Sequence, residues 1–249
     1  RWAFAILDFA TTDGSDGAEL ATAQRRILHR HIAWLTALRY QLRQRRAWET
    51  TKDSDAEFRR RYYLVPEEES SLEAEWADLL SPEEQASVSS RTNPAAHLLR
   101  RQSAELLTLY RRGWIEDFRH MELQNLLGEL VDCQGKCERI KNFPYPRQFA
   151  TLNYIFVSMF IALVPFGLLP EFAALGPNYV WLTIPFSALV AWIFHTLDRI
   201  GSVSENPFEG SPNDIPITAL SRNIEIDLRE MLDETDVPAP LQPVNDILM

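Results

Sequence analysis

The sequence predicts an all-α membrane protein in which two transmembrane helices are carried by a much larger, charged helical region. Three observations predict it. Residues 148–197 read QFATLNYIFVSMFIALVPFGLLP, then a single Glu171, then FAALGPNYVWLTIPFSALVAWIFHTL, with no other Asp, Glu, Lys or Arg. The mean hydropathy of the whole chain is nonetheless −0.21, so apolar residues are gathered in that stretch and the remainder is strongly polar. In the remainder, Leu and Ile recur every three to four residues, which is the period of a helix.

The apolar stretch sets the frame. A bilayer core of about 30 Å needs roughly 20 apolar residues in helix, and each half of 148–197 is long enough. Residues 149–170 hold twelve Leu, Ile, Val or Phe. At about 0.3–0.6 kcal/mol each, they favour insertion by roughly 4–7 kcal/mol. Asn153, Pro165 and Gly167 offset only part of that. A hairpin buried in a soluble core would show a polar face, and these two helices have none.

The rest of the composition narrows the function. The chain has 249 residues and a formal net charge of −10. About 200 residues lie outside the hairpin, enough for a substantial helical domain. The negative balance argues against a nucleic-acid partner, which normally demands a basic surface. Cys133 and Cys137 sit one helical turn apart, so they frame no disulfide scaffold and point to no oxidising compartment; both are expected to be packing residues. The chain opens RWAFAILDFA, without Met and already in helical register, so further residues are expected upstream and no signal peptide is expected.

In order along the chain, residues 1–10 are expected to end a helix, with Trp2, Ile6 and Phe9 near one face, closed by the TTDGSDG cluster at 11–17. A second helix is expected over 18–48, where Leu20, Leu35, Leu38 and Leu42 alternate with Arg25, Arg26, Arg30, Arg39, Arg43, Arg45 and Arg46. Such a basic amphipathic helix suits either an anionic membrane surface or an ordinary solvated face. Residues 49–95 are charge-rich and broken by Pro66, Pro82 and Pro94, with the acidic runs at 67–69 and 83–84 reading as loops and helix starts and Ser81 as an N-cap before Pro82. A third helix over 94–112 carries Leu98, Leu99, Leu106, Leu107 and Leu109, and Gly113 breaks it. A fourth over 115–140 turns Leu123, Leu126, Leu127, Leu130 and Val131 to a core. FPYP at 143–146 ends it and starts the hairpin, whose own turn falls at 170–178. After the hairpin come ENPFEGSPNDIP at 205–216, a last helix over 218–233, and a tail too proline-rich to be helical, expected to run extended along a partner.

Flanking charge gives the orientation. Lys136, Arg139, Lys141 and Arg147 precede the hairpin and Arg199 follows it, whereas its turn carries no Lys or Arg. The positive-inside rule therefore places both ends in the cytoplasm. Three regions result: a cytosolic helical region at 1–147, the transmembrane hairpin at 148–199, and a cytosolic turn, helix and tail at 200–249.

Chemistry is sparse. There is no glycine-rich phosphate loop, GxSxG elbow or HExxH motif, so no enzyme, cofactor or metal site is expected. His29 and His31, two residues apart on a helix, point to different sides. Glu116, Asp117 and Phe118 stand out, because they follow the Gly113 break and open the helix that leads to the membrane. Acidic residues in a first turn suit the helix dipole. In a symmetric assembly the same residues would form rings, Phe118 an apolar constriction and Glu116 or Asp117 a cation-favouring collar. The residues alone leave both readings open.

Several segments taken together resemble the bestrophin family in its bacterial branch: KCERIKNFPYPRQF, LVPFGLLP, ENPFEGSPNDIP and IEIDLREM, in that order, with QRRILHRHIAWLTALRYQLR similar to the family's arginine-rich helix. The resemblance covers nearly all of residues 1–235. It implies a homopentameric, barrel-like assembly in the bacterial inner membrane, with membrane lipid around it and one axial pore for small inorganic ions, chloride or other anions by default and cations in some bacterial members. It implies an apolar aperture residue at the start of the helix after the glycine break, which is Phe118 here, with Asp117 and Glu116 before it. It places the membrane neck on an earlier helix, upstream of Arg1, and a break at the LPF-type motif. It also implies a structural turn at Asn206, Pro207, Phe208, Asn213 and Asp214, where animal members bind calcium at an acidic run that this chain reduces to Glu209 and Asp214. The alternative class is a non-conducting, membrane-anchored helical scaffold or sensor, since about four fifths of the chain lies outside the hairpin.

Overall fold

The computed structural model describes residues 1–12, 16–46, 62–143, 147–203, 207–212 and 214–249. In chain order the helices are α1 (Trp2–Phe9), α2 (Gly17–Arg43), α3 (Pro66–Glu69), α4 (Leu72–Trp76), α5 (Pro82–Ser89), α6 (Pro94–Arg111), α7 (Asp117–Asn142), α8 (Arg147–Ala174), a 3-10 segment at Pro177–Leu182, α9 (Thr183–Val203) and α10 (Ile217–Glu230). Among the described residues the only β pairing is one bridge between Val244 and Ile247. The helices divide into two units: Arg1–Asn142 with Phe208–Met249, and Phe143–Pro207. Of the C-terminal region expected at 200–249, residues 208–249 pack as part of the first unit.

The first unit is built around α2, which packs against α1, α4, α6, α7 and α10. Ile27, Leu28 and Ile32 meet Leu98, Leu106, Leu109 and Leu123 in one fully buried cluster. Trp76 enters it and keeps its indole N–H satisfied by donating to the Ala33 carbonyl at 3.0 Å. Trp34 donates in the same way to Gln134 of α7 at 2.8 Å. Its arginines decide the role of α2. Arg30, Arg39 and Arg43 are buried, which corrects the expectation that they cover a membrane-facing or solvated face. The acidic runs supply the reason. Arg30 NH2 pairs with Glu84 at 3.2 Å, Arg39 with Glu67 at 2.5 Å and also with Glu75, and Arg43 with Asp214 at 3.2 Å and Glu67 at 3.6 Å. A buried guanidinium is tolerated only with such partners, because its desolvation costs several kcal/mol. The short helices α3, α4 and α5 exist to deliver those carboxylates. Ser71 and Ser81 cap α4 and α5 by accepting from Ala74 N at 3.2 Å and Glu84 N at 3.3 Å.

His29 and His31 turn opposite ways. His31 lies between Trp2 and Trp34, with ring centroids 6.2 and 5.0 Å away, and burial pushes its pKa down to about 3. The imidazole is neutral there. His29 contacts Glu234 at 2.6 Å, and Glu234 also accepts from Arg25 at 2.9 Å and Arg229 at 3.1 Å. Burial acts to raise the Glu234 pKa, but the His29 hydrogen bond and the surrounding cations outweigh it and hold the carboxylate below its ordinary value. This anchors the start of the tail. Its far end is fixed by Ala219 N donating to Met249 O at 2.6 Å, by burial of Met249 with Tyr63 and Val65, and by Asn245 donating to Tyr62 O at 2.6 Å. The tail is extended as expected, but it runs along its own chain.

Other boundaries moved. α2 ends at Arg43, and Trp48 lies outside the described residues, as do Pro144, Tyr145 and Pro146 of the FPYP segment. Val131 and Leu107 are exposed, and so is Cys133, while Cys137 is half-buried against the core. Leu123, Leu126 and Leu127 are buried on the inner face of α7, and Leu130 packs partly buried beside them.

The second unit is the helical hairpin. α8 continues through Pro165 and Pro170 to Ala174, so the expected break at the LPF-type motif is absent and the turn is confined to Leu175 and Gly176. Gly176 adopts φ 125°, a conformation that suits glycine. Phe160 meets Phe194 at 4.5 Å and Phe172 meets Phe186 at 5.3 Å across the pair. Asn153 donates to Asp198 at 2.8 Å at the open end. Thr151–Ala174 and Pro177–Asp198 are long and apolar enough to cross a membrane, with mean hydropathies of 2.1 and 1.6. Their large apolar side chains face outward, Phe166, Ile184, Trp192 and Phe156 among them. That surface suits a hydrocarbon surround and not water.

Glu67 binds both Arg39 and Arg43, so Glu67→Ala removes one carboxylate partner from each of two buried cations, leaving Arg39 with Glu75 and Arg43 with Asp214. The expected loss is about 3–5 kcal/mol, read as a fall in melting temperature of the purified protein in detergent. An unchanged midpoint would mean that the arginines are satisfied without it.

Candidate functional site

The site begins where α6 stops. Gly113 takes φ 77°, and its N–H and that of Trp114 donate back to Tyr110 O at 2.9 Å and Leu109 O at 3.0 Å, which closes the helix end in the left-handed manner that glycine permits. Trp114 and Ile115 then dive into the core. Thr11 N donates to Trp114 O at 2.8 Å, and Arg112 covers the Trp114 ring at 4.9 Å. This turn is clamped on both sides.

The chain emerges at Glu116 and starts α7 at Asp117. Phe118 is 85% exposed, although the two residues at 114 and 115 and the inner face of the same helix are buried. Arg119 fixes the base of the helix by covering Phe9 at 5.7 Å, donating to Phe9 O at 3.4 Å and approaching Glu116 at 3.6 Å. The nearby Asp117 carboxylate raises the pKa of the Tyr110 phenol. The Tyr110 ring stacks on His120 at 4.9 Å. The three predicted residues therefore stand together by sequence at a fixed helix end, Glu116 and Asp117 followed by an aromatic side chain exposed at the surface. The sequence did not single out Tyr110, His120 or Met121, which is 60% exposed one turn beyond Phe118. The signal for Met121 was its i+3 spacing from Phe118; for Tyr110 there was none, since a helix break intervenes.

The second predicted cluster is the turn before α10. Asn206 and Asn213 lie outside the described residues. Pro207 and Phe208 form the turn, with Phe208 buried at φ 62°. Asp214 holds it closed: Oδ1 accepts from Phe208 N at 3.0 Å and Ile215 N at 2.8 Å, and Oδ2 from Gly210 N at 2.9 Å and Arg43 at 3.2 Å. Tyr63 OH donates to Gly210 O at 2.9 Å.

A sequence profile of the family described as Bacterial/Fungal Bestrophin protein matches residues 8–230. The chain belongs to the bacterial/fungal bestrophin family. Similar relatives are the voltage-dependent anion channel-forming proteins YneE of Salmonella typhi, 31% identical over 61% of this chain and 47% of that protein, and of Escherichia coli K12, 29% identical over 67% and 53%. This bestrophin chain thus spans about half the length of the curated relatives it matches. The fold is similar to a crystal structure of a bacterial bestrophin homolog from Klebsiella pneumoniae, with TM-score 0.67 and 23% identity, covering 86% of this chain and 68% of that one. A crystal structure of a proline-to-alanine variant of a membrane protein gives TM-score 0.72 at 21% identity, covering 94% and 72%.

Calcium, which the family resemblance raises for the 207–216 turn, does not fit the residues present in this bestrophin. Calcium takes about 6–8 oxygen ligands, usually with several carboxylates. Here the Asp214 oxygens face three backbone N–H groups and a guanidinium, an arrangement of donors that suits an anion and repels a cation. We expect millimolar calcium or a chelator to leave the melting temperature unchanged, whereas Asp214→Ala lowers it by several degrees, since three backbone donors and Arg43 lose their acceptor. A calcium-dependent rise in the melting temperature would contradict this assignment.

Proposed function

We propose that this chain is the cytosolic and C-terminal membrane part of a bestrophin-type ion channel of the bacterial inner membrane, a homopentamer that conducts small inorganic ions passively through one axial pore. The observation that carries the reading is Phe118. Burying such a side chain is worth about 1.5–3 kcal/mol, yet this one is held out from a helix end whose neighbours are all anchored. On a symmetry axis five copies would face one another as an apolar constriction, which gates by narrowing and dewetting. Glu116 and Asp117 would line its rim.

The hairpin supports membrane residence, and the cationic flanks at Lys136, Arg139 and Lys141 support a cytoplasmic position for the larger unit. The relatives, voltage-dependent anion channel-forming proteins, support conduction of anions, chloride being the family default. The rim carboxylates pull the other way, since a negative collar concentrates cations.

Phe118→Ala should widen the constriction and raise the single-channel current or relax the permeability ratio of the purified protein in liposomes under a salt gradient. Currents and reversal potential identical to those of the unaltered protein would remove Phe118 from the pore. A monomer or dimer in detergent would remove the axial pore altogether and favour the scaffold.

A further inference from the structure

Helix α7 turns more than one face outward. Phe118, Glu122, Asn125 and Glu129, spaced by four, three and four residues, form an exposed stripe opposite its buried leucines. Two different surfaces flank that stripe, each about a quarter turn away around the helix. On the side of Arg119 lies α1, antiparallel to α7, with Arg1 paired to Glu129 at 3.2 Å and Arg119 donating to Phe9 O at 3.4 Å. On the other side α6 and α7 enclose a groove of about 460 Å³. Leu99 and Leu127 line its floor, Val131 is 51% exposed beside it, and small residues, Ala96, Gly128 and Gly135, keep its walls low.

The two glycines have no explanation inside the subunit. Each lies in the interior of α7, where glycine costs about 0.5–1 kcal/mol relative to alanine. An added Cβ at either position would meet no other heavy atom within 4 Å. Their bare backbone is accounted for when another helix is laid into the groove at close approach, ridge into groove. The α1 flank offers such a ridge. Phe4 is 56% exposed on it, and Asp8 follows one turn later, also exposed. Counting along the helix from the pairing of Arg1 with Glu129 puts Phe4 near the level of Leu126, within the span of the groove from Gln124 to Glu138.

Charge fits as well. Asp8 and Glu122 are exposed on the α1 flank, Arg100 and Arg111 on the α6 flank, and none of the four makes an ion pair among the described residues. Such pairs add little affinity across a wet rim but fix register and reject the wrong partner. A ring closed by rotation needs a heterologous contact, in which one patch meets a different patch on the next copy. The ridge and the groove are such a pair. They stand on either side of the stripe that carries Phe118, so joining them around a ring turns every copy of that stripe to its centre.

We propose that the α6–α7 groove is the seat for α1 of a second copy of this chain: Phe4 packs over Gly128, with Asp8 and Glu122 facing Arg100 and Arg111. This rests on the axial-aperture reading above and supplies the contact that closes its ring.

The test reads the mass of the full-length protein in detergent by light scattering, with helical content followed by circular dichroism. Gly128→Leu meets nothing within its own subunit and fills the groove, so the pentameric fraction should fall by about tenfold or more with helical content retained. Phe4→Asp should do the same. Arg100→Glu with Arg111→Glu should weaken assembly, and adding Asp8→Lys and Glu122→Lys should restore it, a rescue that a defect within one flank would not show. A pentamer that tolerates both Gly128→Leu and Phe4→Asp would overturn the proposal, and so would a charge reversal that the swap fails to repair. Were the groove filled by another segment of its own subunit, Gly128→Leu would act and Phe4→Asp would not, which would also overturn the seating of α1. If the unaltered protein is itself a monomer or dimer, the axial reading fails and the proposal falls with it, a result distinct from a pentamer indifferent to these substitutions. Should Gly128→Leu not fold, Phe4→Asp and the charge swap, both at exposed positions, decide the matter.

Discussion

Three guanidinium groups on one helix hold the larger unit together. Arg30, Arg39 and Arg43 lie within α2 at positions where the helix has no access to water, and each would be strongly destabilising alone. Their carboxylate partners come from α3, α4, α5 and the turn before α10. The arrangement makes α2 an obligatory centre: α3 buries none of its residues and is placed by charge, whereas α4 and α5 add Trp76 and Val88 to the core as well as their carboxylates. Arg43 has the widest reach, since Asp214 bonds it while closing the 207–216 turn, and Gly210 of that turn approaches it closely enough that an added Cβ would lie 3.4 Å from its guanidinium.

This centre positions the candidate aperture at one remove. α2 packs its apolar face on α6, α6 packs on α7, and the turn between α6 and α7 carries Gly113. A rigid helix pair with a glycine-closed corner presents Phe118 in a fixed direction, which a constriction requires and a flexible loop could not supply. The conformational freedom of glycine is used here at a single position, and the neighbouring Trp114 and Ile115 anchor the corner by burial.

Much of this was legible in the chain. The hairpin declared itself by length and uninterrupted apolarity, and Gly113, Pro82 and Ser81 marked real helix ends because each acts through local backbone chemistry. The family motifs pointed to Phe118 as the candidate aperture and to the turn that Asp214 closes. The arginines were misread for a physical reason: periodicity tells which residues share a face, but not what meets that face. Arg39 and Glu67 are 28 residues apart and Arg43 and Asp214 are 171 apart, so no local pattern could pair them. Pro165 misled in the opposite direction. A proline in a soluble helix interior argues for a break, whereas α8 passes through it, as neighbouring groups and small adjustments allow in membrane helices. The tail was correctly extended, but its resting place depended on Met249 and Glu234 finding partners on α10 and α2, again a long-range matter.

The central claim is that Phe118 faces the axis of a conducting pentamer. Its most direct test replaces Phe118 with Cys in a Cys133→Ser background and follows liposome currents while cadmium is added from the cytoplasmic side. Five thiolates around one axis would bind a soft cation and block the pore, so the account predicts rapid block in Phe118→Cys and none in the parent protein. Currents in Phe118→Cys that cadmium leaves untouched would contradict it.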